Sequence, residues 1–359
     1  MIKNQYTALG LMSGTSLDGL DLALCHFYNQ EQSWEFELVK GKSVAYNTEW
    51  TDRLKNSVNL NGRDLSLLHI EYGRWLGKQA GRFLEELGTN VDFIASHGHT
   101  VFHQPEKRLT LQIGSGHELA LESKKTVICD FRAMDVALGG QGAPLVPIGD
   151  RYLFKEFDFC LNLGGISNVS FESGSNRMAY DISIANMLLN YLAQKLGKSY
   201  DKEGEIARSG KMDESLFQQL NNLPYLKLSY PKSTGFEWFE EEIRPTVENN
   251  KSSIQDQLFT AVHHIADQVA NAVLREDREK GKLLISGGGA KNTFLMETLR
   301  HYLSDSIEMV IPDNDIIEFK EAIIFAFMGV KRARNEINCL CSVTGAQSDI
   351  CGGVIYLPG

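Results

Sequence analysis

The pattern of apolar and polar positions predicts an α/β chain. Tyr6 to Met12 is a short apolar run ending in a turn, Leu20 to Tyr28 is a second, and Trp34 to Tyr46 alternates apolar with polar residues, so the chain opens in strands. Leu68, Tyr72, Trp75, Leu76, Ala80, Phe83, Leu84 and Leu87 recur at helical spacing, with Gly88 where a C-terminal cap belongs. Val91 to Ala95 reads as a buried strand, and Leu109 to Ile113 and Thr126 to Cys129 as further strands. Gly139-Gly140-Gln141-Gly142-Ala143-Pro144 is the densest glycine punctuation and predicts a loop near a domain boundary. Phe157 to Leu163 then restarts the order of strand, glycine turn and strand. Asn186 to Leu196 fits a helix, and Ile254, Leu258, Val262, Ile265, Val269 and Val273 mark a long one. Lys282 to Ile285 is a strand, and Glu321 to Asn335 is the last long helix.

One internal echo organises this order. Leu11-Met-Ser-Gly-Thr-Ser16 and Leu163-Gly-Gly-Ile-Ser-Asn168 each sit between two strand-like runs, about one domain length apart. Two copies of a strand, glycine turn and strand unit predict a duplicated α/β domain with a cleft between the copies. The length, 359 residues, fits two domains. With 43% hydrophobic and 23% charged residues the composition is that of a globular chain, which excludes disorder, collagen and coiled coil. Lys plus Arg is 36 against 46 Asp plus Glu, a net charge of −10 with no long basic run, so no nucleic-acid partner is expected. No apolar run approaches the ~20 residues that span a bilayer, so no membrane partner is expected either. The chain runs from Met1 directly into a strand pattern, which reads as lacking a signal peptide. Six scattered cysteines read as reduced thiols, and the expected location is cytoplasmic.

Three common signatures are missing: the P-loop G-x-x-x-x-G-K-[ST], a G-x-G-x-x-G after a strand, and G-x-S-x-G. Phosphate can be held another way. A tight turn rich in Gly, Thr and Ser presents successive backbone N–H groups to an anion. Gly14-Thr15-Ser16 offers this, with Asp18 close enough to hold Mg²⁺ or its waters, and Gly164-Gly165-Ile166-Ser167-Asn168 offers a second. Each also fits a plain hairpin. Ser286-Gly287-Gly288-Gly289-Ala290 ends a strand and opens a helix; it fits a flat ring or ribose close to the backbone, or a flexible loop. Asp181 follows a strand, where a carboxylate can act as general base or cap the next helix. Asp130-Phe131-Arg132 with Asp135 fits a carboxylate-binding arginine or a local ion pair. His97-Gly98-His99 with His103 lacks a convincing further zinc ligand and reads as structural first, and as hydrogen-bonding at a cleft second. Cys339-x-Cys341 has no second pair, and His263-His264, within a helix, reads as surface.

Gly10-Leu-Met-Ser-Gly-Thr-Ser-Leu-Asp-Gly-Leu-Asp21 closely resembles the amino-terminal signature of the anhydro-N-acetylmuramic acid kinase family. Ser96 to Thr100, Leu111 to Gly114, Asp130 to Arg132 with Asp135, Gly139 to Pro144 and Asn162 to Asn168 follow in family order. So do Tyr200-Asp201 with Gly204, Ser209-Gly210, Pro231 to Gly235, Gly287 to Asn292, Glu321-Ala322 with Phe325-Ala326, and Thr344 to Ala346. The resemblance covers nearly the whole chain. It implies two actin-like (ribonuclease H-like) domains around an interdomain ATP cleft, the first over 1–152 with 336–359 returning to it and the second over 153–335. It also implies ATP and Mg²⁺ as cofactors and an amino sugar as substrate; a homodimer is left open, because sequence does not give the oligomeric state. The implied reaction converts 1,6-anhydro-N-acetylmuramic acid to N-acetylmuramic acid 6-phosphate in peptidoglycan recycling.

The resemblance assigns residues as well. Gly14, Thr15, Ser16, Leu17, Asp18, Gly19, Leu20 and Asp21, with Gly164, Gly165, Ser167, Asn168, Gly287, Gly288 and Gly289, would bind the nucleotide. Asp18 would hold the metal. Asp181 matches the family's water-activating base. His97, His99, Arg132, Asp135, Gln141, Asn186 and Glu321 would bind the sugar. Three stretches depart from the family pattern. Ile182-Ser183-Ile184-Ala185 stands for Thr-Gly-Pro-Gly, Ser115-Gly116 for Asp-Pro, and His99 for Gln. The first change predicts obstructed backbone approach and keeps open a catalytically impaired nucleotide- or sugar-binding protein; His99, Ser115 and Gly116 keep open a kinase of a related sugar.

Overall fold

The computed structural model describes residues 3–14, 17–30, 33–276, 278, 280–303 and 305–359. The strands in chain order are β1 (Gln5–Ser13), β2 (Gly19–Gln30), β3 (Ser33–Ala45), β4 (Phe93–Ser96), β5 (His99–Gln104), β6 (Leu109–Ile113) and β7 (Val127–Cys129). They continue with β8 (Phe159–Leu163), β9 (Ile166–Ser173), β10 (Asn176–Ile184), β11 (Gly281–Ser286), β12 (Ile307–Val310) and β13 (Val354–Tyr356). The chain divides into two compact units, residues 1–153 with 319–359, and residues 154–318.

The first unit holds a six-stranded sheet in the order β13-β7-β4-β1-β2-β3. β1, β2 and β3 form an antiparallel meander, and β4 and β7 add in parallel beside β1. The helix Gly62–Leu87 makes the crossover that the parallel pair needs. Asn61 caps its start by accepting from the Asp64 N–H, and Gly88 ends it at φ 60°. Leu68, Tyr72, Leu76, Ala80, Phe83 and Leu84 point from this helix into a core with Leu9, Leu11, Leu22 and Leu24 of the sheet.

The second unit repeats the plan. Its five-stranded sheet runs β10-β9-β8-β11-β12, with β8, β9 and β10 antiparallel and β11 and β12 parallel beside β8. β8 therefore takes the place of β1, β9 of β2, β10 of β3, β11 of β4 and β12 of β7. The repetition is the duplication that the echo of glycine turns predicts, and a meander of three strands followed by parallel ones is the ribonuclease H-like, actin-like arrangement that the resemblance implies. The helix Ile254–Leu274 lays Leu258, Val262, Ile265, Val269 and Val273 on this sheet's core. Among the described residues no helix is long and apolar enough to cross a membrane.

The chain returns to the first unit at Phe319, not at 336. The last long helix also starts earlier than its apolar spacing indicates, running Asn314–Ala333. The physical reason is close packing. A Cβ on Gly10 would lie 1.8 Å from the Ala322 carbonyl oxygen and 3.2 Å from the Ala326 methyl, and one on Gly329 would meet Phe93 and Ala95. The helix backbone thus rests directly on β1 and β4. Gly10→Ala forces the helix outward and should cost at least the ~1–3 kcal/mol typical of overpacking; a lowered denaturation midpoint checks this.

Candidate active site

In the first unit, polar side chains gather where β1, β4 and β7 end. β1 and β2 form a hairpin in which Ser13 pairs with Leu20. Gly14, Leu17 and Asp18 belong to its turn, with Leu17 at φ 60° and Asp18 exposed, and Gly19 opens β2. Thr15 and Ser16, which sequence places at the centre of this turn, lie outside the described residues. Leu20 is buried in the core, so its side chain is unavailable to a nucleotide. Asp21 accepts a hydrogen bond from Ser43 Oγ at 2.5 Å.

His97 follows β4 and His99 opens β5, and both are buried. Arg132 Nε donates to His97 Nε2 at 3.0 Å, so that nitrogen is the acceptor and Nδ1 carries the proton toward the Gly98 carbonyl, 3.0 Å away. Burial, with the Arg132 charge adding to it, holds the His97 pKa well below the usual value. Burial lowers His99 to about 4. Both rings are therefore neutral at pH 7. His99 Nδ1 lies 3.4 Å from Ser13 Oγ, which accepts from Tyr46 OH at 2.8 Å. His103 bonds instead to Thr110 Oγ1 in the β5–β6 hairpin. Arg132 also donates to the Gly142 carbonyl at 2.6 Å; burial lowers its pKa to about 10, which leaves it charged. Glu321, whose pKa is raised by burial and held back by Arg132 and Lys320, faces the same cluster.

Asp135 departs from its expected role. It is fully buried, and its carboxylate accepts from the Gly142 N–H at 2.7 Å, Thr344 Oγ1 at 2.7 Å and Cys339 Sγ at 3.2 Å. Its oxygens are filled by the chain, so it latches the 139–144 loop and does not face a ligand. Gln141 is exposed, and its N–H donates to the Thr344 carbonyl.

In the second unit the glycine turns converge. Gly164 and Gly165 join β8 to β9, and their carbonyls accept the N–H groups of Ala185, Asn186 and Met187 at the start of the helix Asn186–Gln194. Asn186 Nδ2 donates to the Leu163 carbonyl at 2.8 Å. Gly287, at φ 81°, and Gly289 are required by the protein itself, because a Cβ on either would strike Leu163. Gly164, Gly165 and Gly288 are different. A Cβ on each would meet nothing nearer than 3.5 Å, and none has a positive φ. Their missing side chains leave room that packing does not demand. Beside them a cavity of about 460 Å³ is lined by Asn186, Tyr200, Asp201, Lys202, Gly288 and Lys291, among others. Tyr200 and Asp201 carried no site assignment in the sequence, although their motif was visible.

Ser167 is not free for a nucleotide: its buried hydroxyl donates to the Ser183 carbonyl at 2.9 Å and accepts from the Ser183 N–H at 3.2 Å. Asn168 pairs with Asp181 across β9 and β10. Asp181 lies within β10, and Ala185 is the residue before the next helix, so Asp181 is no helix cap. Its carboxylate Oδ2 accepts from the Thr234 N–H at 3.0 Å, its N–H donates to the Lys232 carbonyl, and its carbonyl accepts from Tyr225 OH at 2.7 Å. Oδ1 takes no hydrogen bond from the described residues. Burial raises the Asp181 pKa, opposed by the Thr234 N–H and the Lys232 charge. The holders come from a segment some fifty residues downstream, and only the Pro231 to Gly235 motif hinted at it. Ile182 and Ile184 are both buried in the core of the unit. Among the described residues no group of three or more His, Cys, Asp or Glu is placed to hold a metal.

The family model for anhydro-N-acetylmuramic acid kinase matches residues 6–358. The anhydro-N-acetylmuramic acid kinase of Sulfurimonas denitrificans is 32% identical, covering 97% of this chain and 98% of its own. That of Bacillus anthracis is 33% identical with the same coverage. Among solved structures, component A of the (R)-2-hydroxyglutaryl-CoA dehydratase of Acidaminococcus fermentans is 14% identical at a TM-score of 0.46, covering 92% of this chain and 99% of its own.

The buried, neutral state of the two histidines is directly measurable. By NMR, neither the His97 nor the His99 ring should take up a proton between about pH 8 and pH 5.5, where an ordinary histidine titrates.

Proposed function

The chain belongs to the anhydro-N-acetylmuramic acid kinase family and is a sugar kinase; from that premise we propose that Asp181 is its general base and that 1,6-anhydro-N-acetylmuramic acid is its substrate. The reaction consumes the anhydro sugar, ATP and water and yields N-acetylmuramic acid 6-phosphate and ADP, a step of peptidoglycan recycling. The observation that carries the assignment is the hold on Asp181. Backbone and one carboxylate oxygen are fixed by Lys232, Thr234 and Tyr225, while Oδ1 is left to accept a proton. A base must be both oriented and unengaged, and Asp181 is both. Its oxygen takes the proton of the water that attacks the anomeric carbon; the C1–O6 bond of the anhydro bridge breaks, and the freed O6 would accept the γ-phosphoryl group of ATP with release of ADP.

ATP supplies the phosphoryl group, and phosphoryl transfer asks the protein mainly for positioning and charge neutralisation. The residues fit such a ligand. The room left at Gly164, Gly165 and Gly288 suits close approach of phosphate or ribose to the backbone, and the adjoining cavity is of the size that small ligands occupy. Asp18, exposed in the β1–β2 turn, is the carboxylate that would hold Mg²⁺, an ion that commonly uses few protein ligands beside phosphate oxygens and waters. Arg132 and Glu321, with the neutral His99, supply charge and hydrogen-bonding groups for an amino sugar, whereas His97, both of its ring nitrogens engaged, orients Arg132.

Incubating the protein with ATP, Mg²⁺ and the anhydro sugar should give a product of the mass of N-acetylmuramic acid 6-phosphate; none at high enzyme concentration would refute the substrate. Asp181→Asn should lower kcat by at least ~100-fold, the scale of a lost general base; a nearly unchanged rate removes Asp181 from the mechanism. The Lys232 charge favours ionised Asp181, so Lys232→Met should move the acidic limb of kcat/KM to higher pH, while Lys232→Arg should leave it in place.

A further inference from the structure

The helix Ile254–Leu274 carries a histidine on its buried face. His264 is 0% exposed, contrary to its surface-like reading in the sequence, where its neighbour His263 is only part-buried. Its Nε2 lies 3.2 Å from Ser183 Oγ, and its Nδ1 bonds to Asn221 Oδ1. The direction of these bonds can be worked out. Asn221 Nδ2 donates to Asp267 Oδ2 at 3.0 Å, which turns Asn221 Oδ1 toward the ring. An amide oxygen only accepts, so His264 Nδ1 carries the proton. Nε2 is then the acceptor and the Ser183 hydroxyl the donor. Burial depresses the His264 pKa to about 3, which keeps the ring neutral and this polarity intact. The chain of bonds thus runs from the half-buried Asp267 through Asn221 and His264 to Ser183.

Ser183 stands at the irregularity of β10. Asp181 pairs with Asn168, but Ser183, not Ile182, pairs with Ser167, so Ile182 is an extra residue. Paired residues share a face and successive residues alternate, so Asp181 and Ser183 face opposite sides although two apart. In a regular strand they would share one. The bulge is what turns Asp181 away from the core while Ser183 turns into it, and bulges beside active sites commonly re-aim a side chain in this way. Ser167 bonds both backbone groups of Ser183. His264 holds the side chain.

We propose that His264, through Ser183, is a positioning residue for Asp181: it locks the β10 bulge that aims the base. This rests on the reading of Asp181 as the base. A loss of aim acts on the chemical step and not on nucleotide binding. Ser183→Ala removes the hydroxyl with little change of volume, and His264→Gln keeps an acceptor near the position of Nε2.

The test measures kcat, and the dissociation constant of a non-hydrolysable ATP analogue by calorimetry, for Ser183→Ala, His264→Gln, Asp181→Asn and the double variant Ser183→Ala/Asp181→Asn. For Ser183→Ala we expect kcat to fall about 10- to 100-fold, as small misplacements of reacting groups do, with the analogue bound within about twofold of the parent. His264→Gln should fall less than Ser183→Ala. In the Asp181→Asn background Ser183→Ala should change the residual rate less than about twofold, because residues acting as a unit are not additive. Parental kcat in Ser183→Ala, a multiplicative loss in the double variant, or loss of analogue binding by both Ser183→Ala and His264→Gln each overturns the proposal. The last would mark the pair as a folding element only. Parental kcat in Asp181→Asn removes the base itself and this role with it, whereas an inactive Asp181→Asn beside a fully active Ser183→Ala removes the positioning role alone.

Discussion

Where a carboxylate points depends on the parity of its strand. β10 gains one residue at Ile182, and that gain decides everything nearby. Before it, Asp181 shares a face with Asn168 and meets the 225–234 segment; after it, Ser183 shares the opposite face with Ser167 and meets His264. The backbone groups left without a regular ladder partner there are not orphaned. Ser167 Oγ takes the Ser183 N–H and returns a proton to the Ser183 carbonyl, Tyr225 OH reaches the Asp181 carbonyl, and the Lys232 carbonyl takes the Asp181 N–H. An unpaired buried backbone group costs about as much as a lost hydrogen bond, so such a bulge persists only where neighbours satisfy it.

The first unit uses the same economy of buried polar groups. Arg132 is fixed by His97 and by the Gly142 carbonyl, and Gly142 is in turn held by Asp135. Asp135 draws in Thr344 and Cys339 from the C-terminal segment. A charged side chain held by oriented partners is already arranged for a ligand, and the reorganisation that a mobile arginine would need is avoided. The network also explains why residues near the carboxyl end of the chain belong with the strands at its beginning.

The stretches that differ from the family pattern have structural explanations. Ile182 and Ile184 pack in the core, and Ser183 is the hydroxyl that His264 holds. Ser115 caps the helix Gly116–Ser123 by accepting from the Glu118 N–H, and a Cβ on Gly116 would strike the Tyr356 ring of β13. His99 bonds into the Ser13 and Tyr46 network.

Much of this was legible in the sequence because it is local. A glycine turn between two apolar runs makes a hairpin wherever it occurs, and apolar residues at helical spacing closed by Gly88 make a capped helix. So the duplicated plan and the glycine turns could be read from residue order, whereas Asp181 stood out only through its match to the family segment. Other features depend on partners far away in the chain. Whether Asp135 meets a ligand or a threonine was decided by Thr344, and whether Ser167 is free by Ser183. The burial of His264 was settled by a serine on a distant strand, since helical spacing gives a residue's face but not what lies against it. The sequence by itself determined which elements form and which residue types could do the chemistry. Only the tertiary structure decided which polar groups the chain satisfies internally and which it leaves for a substrate, because a hydrogen bond needs both partners in place and one partner is often a hundred residues away.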